Sequence, residues 1–196
     1  MNKRLVKTSQ FLSYVLRHKP YEIGLPLDEQ GWALVDELIN AAMKHGTKLD
    51  YELIKEVVAT NDKKRFALSE DGKKIRANQG HSIKVDLGLE ATVPPQFLFH
   101  GTATRFMKAI NQQGLKPSGR HHVHLSSDYK TALKVGIRHG IPVVLRIEAE
   151  QMLSDGAKFY VSENGVWLTD KVEPKYFSIL DLSVNKKLAN QNKNLN

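Results

Sequence analysis

A chain of 196 residues with 41% hydrophobic and 26% charged residues has an ordinary globular composition, enough for one large domain or two small ones. Lysine and arginine number 29 against 21 aspartates and glutamates, a net charge of +8, which points either to a polyanionic partner such as nucleic acid, phosphate or a nucleotide, or to a merely solubilising basic surface. Cysteine is absent, which excludes disulfides, thiolate metal sites and a cysteine nucleophile; with neither a signal-peptide core nor a bilayer-length apolar run, a cytoplasmic protein with no membrane partner is the expectation.

In chain order, the first part reads as three helices and a hairpin. Ser9 is placed to cap a helix carrying Phe11, Leu12, Val15 and Leu16, and Pro20 limits its extent. The turn-like DEQG precedes a helix with Val35, Leu38, Ile39, Ala42 and Met43, ended by Gly46. Asp50 caps a third helix with Leu53, Ile54, Val57 and Val58. RFALS and KKIRA then flank EDG, a hairpin signal. Three short helices and a hairpin suggest a winged-helix lobe over 1–85.

DLGLEATVPPQ, residues 86–96, has two prolines and no helical period, and reads as a linker. Beyond it, FLFH is a strand candidate and FMKAINQQG an amphipathic helix closed by Gly114. HVHLS is a strand, and Ser127 or Asp128 caps the helix in DYKTALKVGIRHG. PVVLRIEA is an apolar strand, and KFYVSE and GVWLTD flank an Asn164-Gly165 turn. The fold class expected is α+β, with the second, β-rich lobe over 97–182 and a polar, disordered tail at 183–196.

Five places could carry chemistry. Arg17-His18, ending helix one, offers a phosphate-binding fork beside a group that can donate a hydrogen bond or move a proton, or is simply a cationic helix end. Arg76 is followed by Gln79, Gly80, His81 and Ser82, a loop rich in hydrogen-bonding side chains that suits a polar ligand or a solvent-facing wing tip. His100-Gly101-Thr102 reads as a strand end where Gly101 admits a ligand to the backbone, or as a plain glycine turn. His122 and His124 would share one face of a strand, but no nearby carboxylate or cysteine completes a metal set, and no metal is expected. Arg138 sits near the end of the helix that Ser126 and Ser127 precede; each of these has an ordinary helix-end explanation beside a phosphate- or sugar-binding one. A phosphate-binding P-loop and the dinucleotide-binding glycine pattern are both missing.

In this order, LSYVLRHKP, IRANQGHS, FLFHGT, GLKPSGRHHVHLS and NGVWLT resemble the RNA 2′-phosphotransferases, NAD⁺-dependent enzymes related to the tRNA-splicing phosphotransferase of fungi. Each motif is weak alone; five in order, from about Thr8 to about Leu180, are specific. The resemblance implies a winged-helix RNA lobe followed by an ADP-ribosyltransferase-like mixed β lobe, with the active site in the cleft between them. It implies an essential set on Arg17, His18, Arg76 and Arg138, with Gln79, His81 and Ser82 on the RNA side. NAD⁺ contacts fall on His100, Gly101, Thr102, His124, Leu125 and Ser126. His121 departs from the family pattern, which often has Gln there.

The reaction so implied has two steps. The RNA 2′-phosphate displaces nicotinamide from NAD⁺, which is consumed; the 2″-hydroxyl of ADP-ribose then attacks phosphorus, releasing RNA with a 2′-hydroxyl and ADP-ribose 1″,2″-cyclic phosphate. The expected partners are 2′-phosphorylated RNA and NAD⁺, on a monomer. Two other readings stand beside this one: an ADP-ribosyltransferase acting on nucleic-acid phosphate ends or protein, and a non-catalytic winged-helix nucleic-acid binder.

Overall fold

The computed structural model describes residues 3–61 and 63–180; the tail read as disordered, 183–196, lies outside the described residues. The chain is mixed α and β, with six α-helices and three small antiparallel sheets among the described residues. It divides into two compact units. The first runs to Glu90 and takes in Ser118–His121 and Val161–Asn164; the second takes Ala91–Pro117, His122–Tyr160 and the chain from Gly165. No helix among the described residues is long and apolar enough to cross a membrane.

In the first unit, α1 (Lys3–Arg17) starts well before Ser9. Ser9 is therefore not a cap: it is buried inside the helix, where its Oγ accepts a hydrogen bond from Asn61 Nδ2 at 3.2 Å. The helix extends back because Leu5 continues its apolar face onto the core. After a 3₁₀ turn at Pro20–Ile23 come β1 (Ala33–Leu34), α2 (Val35–Lys44) and α3 (Tyr51–Ala59). Gly46, at φ 75°, ends α2: its N–H donates to Met43 O, while Thr47 N–H reaches back to Ala42 O at 2.9 Å. Asp50 caps α3, its carboxylate accepting from Leu53 N–H at 2.7 Å.

The hairpin of β2 (Phe66–Leu68) and β3 (Lys74–Ala77) pairs Phe66 with Ala77 and Leu68 with Ile75. β1, a strand too short to show a period, adds to the other edge of β3. Leu12, Leu16, Leu38, Ile54 and Ile75 are wholly buried and hold helices and sheet together.

The second unit begins with β4 (Phe97–Ala103), followed by a 3₁₀ turn and α4 (Met107–Gln113), then β5 (Val123–Leu125) and α5 (Tyr129–Ile137). β6 (Pro142–Glu148), α6 (Ala149–Ser154), β7 (Phe159–Val161), β8 (Trp167–Thr169) and β9 (Phe177–Leu180) complete it. The sheets run β4-β6-β9 and β5-β8-β7, and a bridge between Phe99 and Ser126, with both N–H groups donating, ties one to the other. Leu98, Leu125, Leu145, Ile147 and Phe159 fill the core.

The turn expected at His100-Gly101-Thr102 is not there, for β4 runs straight through it. A Cβ on Gly101 would overlap the carbonyl oxygen of Ala132 in α5, and one on Gly136 would stand 2.7 Å from Thr102 O. The two glycines let helix and strand backbones touch, and that side of Gly101 is closed to a ligand. Asp128, not Ser126 or Ser127, caps α5, accepting from Thr131 N–H at 2.8 Å.

Candidate active site

Arg17 closes α1 with its side chain turned inward. Its guanidinium lies 5.8 Å from the Phe66 ring centre and Nη2 donates to the backbone oxygen of Arg65 at 3.3 Å, while Nε is buried without a hydrogen-bond partner. Burial, with the charges of Arg65 and Arg120, lowers its pKa to about 10. The same surroundings act on His18, where burial leads and Arg17 and Arg120 follow in lowering the imidazole below its ordinary value. No carboxylate appears among the groups that act on either residue.

The loop after β3 is tied to this helix end. Ser82 N–H donates to Arg17 O at 2.9 Å, and Ser82 Oγ lies 2.9 Å from His18 Nδ1. Gly80, at φ 86°, makes the turn that returns the chain there. His81 is 3% exposed, and its Nε2 has no hydrogen-bond partner. Burial first, then the charges of Arg17, His121, His18 and Arg76, push its pKa down to about 4. Gln79 is half-buried beside it.

Cations and imidazoles held together around an orphaned guanidinium donor are costly without an anion, since the buried donor has lost its water. Their chemistry suits a phosphate: planar forks and hydrogen-bond donors.

Arg65 and Arg120 belong to this surrounding, and sequence reasoning passed over both. Arg65 ends the run Lys63-Lys64-Arg65 just before β2; Arg120 lies inside GLKPSGRHHVHLS, quoted for its histidines. The signal that could have found Arg65 is hairpin register: its carbonyl accepts Asn78 N–H at 2.9 Å, one step beyond the Phe66–Ala77 pair.

Arg76 is engaged at one end of its guanidinium, while its Nε is buried without a hydrogen-bond partner. Nη2 donates to Glu163 Oε1 at 2.7 Å, the guanidinium stacks 4.6 Å from the centre of Trp32, and the side chain is 13% exposed. Arg138 caps the C-terminus of α5 in the second unit and is exposed.

The other expected residues of the second unit divide by environment. His100 Nδ1 lies 2.9 Å from the carbonyl oxygen of His124; a carbonyl only accepts, so Nδ1 carries the proton and Nε2 keeps its lone pair. Burial lowers the pKa of His100, against the pull of that bond, so the ring is neutral. Thr102 is buried in β4, and Ser126 spends its backbone on Phe99. Leu125 is 2% exposed and its side chain is a core residue. His122 packs its ring 5.5 Å from that of Tyr160, with Nε2 3.7 Å from Asp170. Among the described residues no group of three or more histidines and carboxylates is arranged to hold a metal ion.

Comparison with known proteins gives the class. Residues 3–171 match the profile described as RNA 2'-phosphotransferase, Tpt1 / KptA family. A probable RNA 2'-phosphotransferase of Acaryochloris marina is 60% identical over 177 residues, covering 90% of this chain and 98% of the relative. Proteins of the same description from Flavobacterium johnsoniae and Shigella boydii are 56% and 54% identical, over 90% and 89% of this chain and 97% and 95% of their own lengths. The chain belongs to the RNA 2'-phosphotransferase family.

Proposed function

We propose that this protein removes a 2′-phosphate from RNA, using NAD⁺ as a consumed co-substrate. In this reading the first unit is a winged-helix RNA lobe and the second an ADP-ribosyltransferase-like lobe. The observation that carries it is the gathering of Arg17, His18, Arg65 and Arg120 around the buried, unbonded Nε of Arg17, in a chain of this family.

Arg17, Arg65 and Arg120 hold the 2′-phosphate. Ser82, donating its hydroxyl proton to His18 Nδ1, leaves Nε2–H to bond a phosphate oxygen. As charge builds on phosphorus in the second step, these fixed cations need little reorganisation to stabilise it. The resemblance placed Arg76 and Arg138 in the set; the charges acting on Arg17 support Arg65 and Arg120 in their place. Arg76, neutralised by Glu163, braces the first unit instead.

NAD⁺ supplies a ribose carbon whose bond to nicotinamide is weakened by positive charge. The second unit has groups that suit it: His100, oriented by the His124 carbonyl, presents Nε2 as an acceptor for a ribose hydroxyl, with Ser126 close by in the pairing.

The test is an RNA oligonucleotide with one internal 2′-phosphate, incubated with and without NAD⁺ and followed by mass spectrometry. Dephosphorylated RNA and ADP-ribose cyclic phosphate are the expected products; RNA that gains ADP-ribose and keeps it overturns the second step. Arg65→Ala and Arg120→Ala each lower turnover by about a hundredfold or more, whereas Arg138→Ala changes it little. The reverse ranking would return Arg138 to the set.

A further inference from the structure

Between α3 and β2 the chain makes a reversal whose backbone is held by asparagine. Lys64 has φ 40°, a left-handed conformation that a residue with a Cβ adopts at a cost. Its N–H donates to Asn61 O at 2.7 Å, and its carbonyl accepts Asn78 Nδ2 at 2.8 Å. One residue earlier, Lys63 N–H donates to Asn61 Oδ1 at 3.2 Å, and Lys63 O accepts Asn164 Nδ2 at 2.9 Å. All four backbone polar groups of the two lysines are thus taken by asparagines, three of them by side chains.

The clamps are themselves fixed. Asn164 Oδ1 accepts Ser162 Oγ–H at 2.7 Å, which decides the orientation of its amide. Glu163, next to it, is anchored on Arg76. Asn78 is 5% exposed, and its own N–H holds the carbonyl of Arg65. The residue that leaves this reversal is Arg65, whose Nη1 points back to Asn61 Oδ1 at 3.4 Å.

We propose that Asn78 and Asn164 are positioning residues for Arg65: by holding the carbonyls of Lys64 and Lys63 they keep the reversal in which Lys64 is left-handed, and so aim the Arg65 guanidinium at the RNA 2′-phosphate. The inference rests on Arg65 being a phosphate ligand, as proposed above. Asn78 and Asn164 touch no reacting atom; they act through backbone geometry. That distinguishes them from general core supports, because the cost they offset belongs to one residue and disappears if that residue is glycine, which takes positive φ as readily as negative.

The experiment measures kcat and the two Michaelis constants, for 2′-phosphorylated RNA and for NAD⁺, on the full chain. The variants are Asn78→Ala, Asn164→Ala, each of these with Lys64→Gly, Lys64→Gly alone, and Arg65→Ala. Either asparagine variant is expected to raise KM for RNA about tenfold, the factor that corresponds to a left-handed penalty, with KM for NAD⁺ unchanged. Adding Lys64→Gly recovers most of that loss. Should Asn78→Ala fail to fold, Asn164→Ala, at a half-buried site, carries the test.

A normal KM for RNA in the asparagine variants, with Arg65→Ala impaired, overturns the inference and leaves the phosphate site standing. A rise in both Michaelis constants that Lys64→Gly does not recover also overturns it, since that is general loosening. Normal kinetics in Arg65→Ala removes Arg65 from the site and overturns both.

Discussion

His81 shows how strongly the proposed phosphate site disfavours further positive charge. Its imidazole is buried among Arg17, Arg76, His18 and His121, and protonates in the fold only near pH 4. Above the ordinary histidine value near 6.5 it is neutral whether the chain is folded or not, and pH has no effect through it. Between about 6.5 and 4 the unfolded chain takes up a proton that the folded chain refuses, so stability falls as pH falls. The full window is worth about 3 kcal/mol. Urea unfolding at a series of pH values should show that loss in the native protein and a clearly shallower one in His81→Asn; equal slopes would mean that His81 titrates normally. Composition and spacing identified His81 as a hydrogen-bonding residue, but its burial comes from the return of the Gly80 turn onto α1, which no local signal encodes.

At the scale of elements, the pairing of β4 with α5 decides much of the second unit. A strand and a helix ordinarily keep side chains between their backbones; here Gly101 and Gly136 remove them at the crossing. Gly101→Ala should destabilise by about 3 kcal/mol, because the clash is with backbone and no side chain can swing aside. Thermal and denaturant unfolding measure it, and a variant of native stability would show that the helix can retreat. Helices α1 to α5, the two hairpins and the Gly46 and Asp50 ends of α2 and α3 were legible because each depends on residues within a turn of one another. β1 has two residues, too few for a period, and α6 follows β6 without a break that composition could mark. His100-Gly101-Thr102 looked like a turn because glycine after an apolar run usually marks one; the space that glycine leaves is filled by a helix nearly thirty residues on.

For the molecule as a whole, the +8 charge acts at long range and the arginines of the site at short range. If Arg17, Arg65 and Arg120 hold the 2′-phosphate as proposed, binding of single-stranded 2′-phosphorylated RNA should weaken with salt, and less steeply in Arg120→Ala, by at most about 0.7 in the log-log slope. Filter binding at several salt concentrations gives the slopes; an unchanged slope in Arg120→Ala would place that residue off the phosphate. The five ordered motifs were enough to indicate the family, which the whole-length relatives show. They did not identify which arginines gather, since a motif records neighbours in sequence and a phosphate site needs neighbours in space.

The sequence alone determined the basic charge, the absence of thiol chemistry, the capped helices and the family signature. All of these follow from composition or from residues close together along the chain. Tertiary structure decided the rest. It set Arg65 and Arg120 beside Arg17, engaged Arg76 with Glu163, buried His81, and closed three asparagines on one strained lysine turn. These contacts join segments from α1 to the β7–β8 turn. Their energies depend on distance and desolvation, which exist only once the chain has folded.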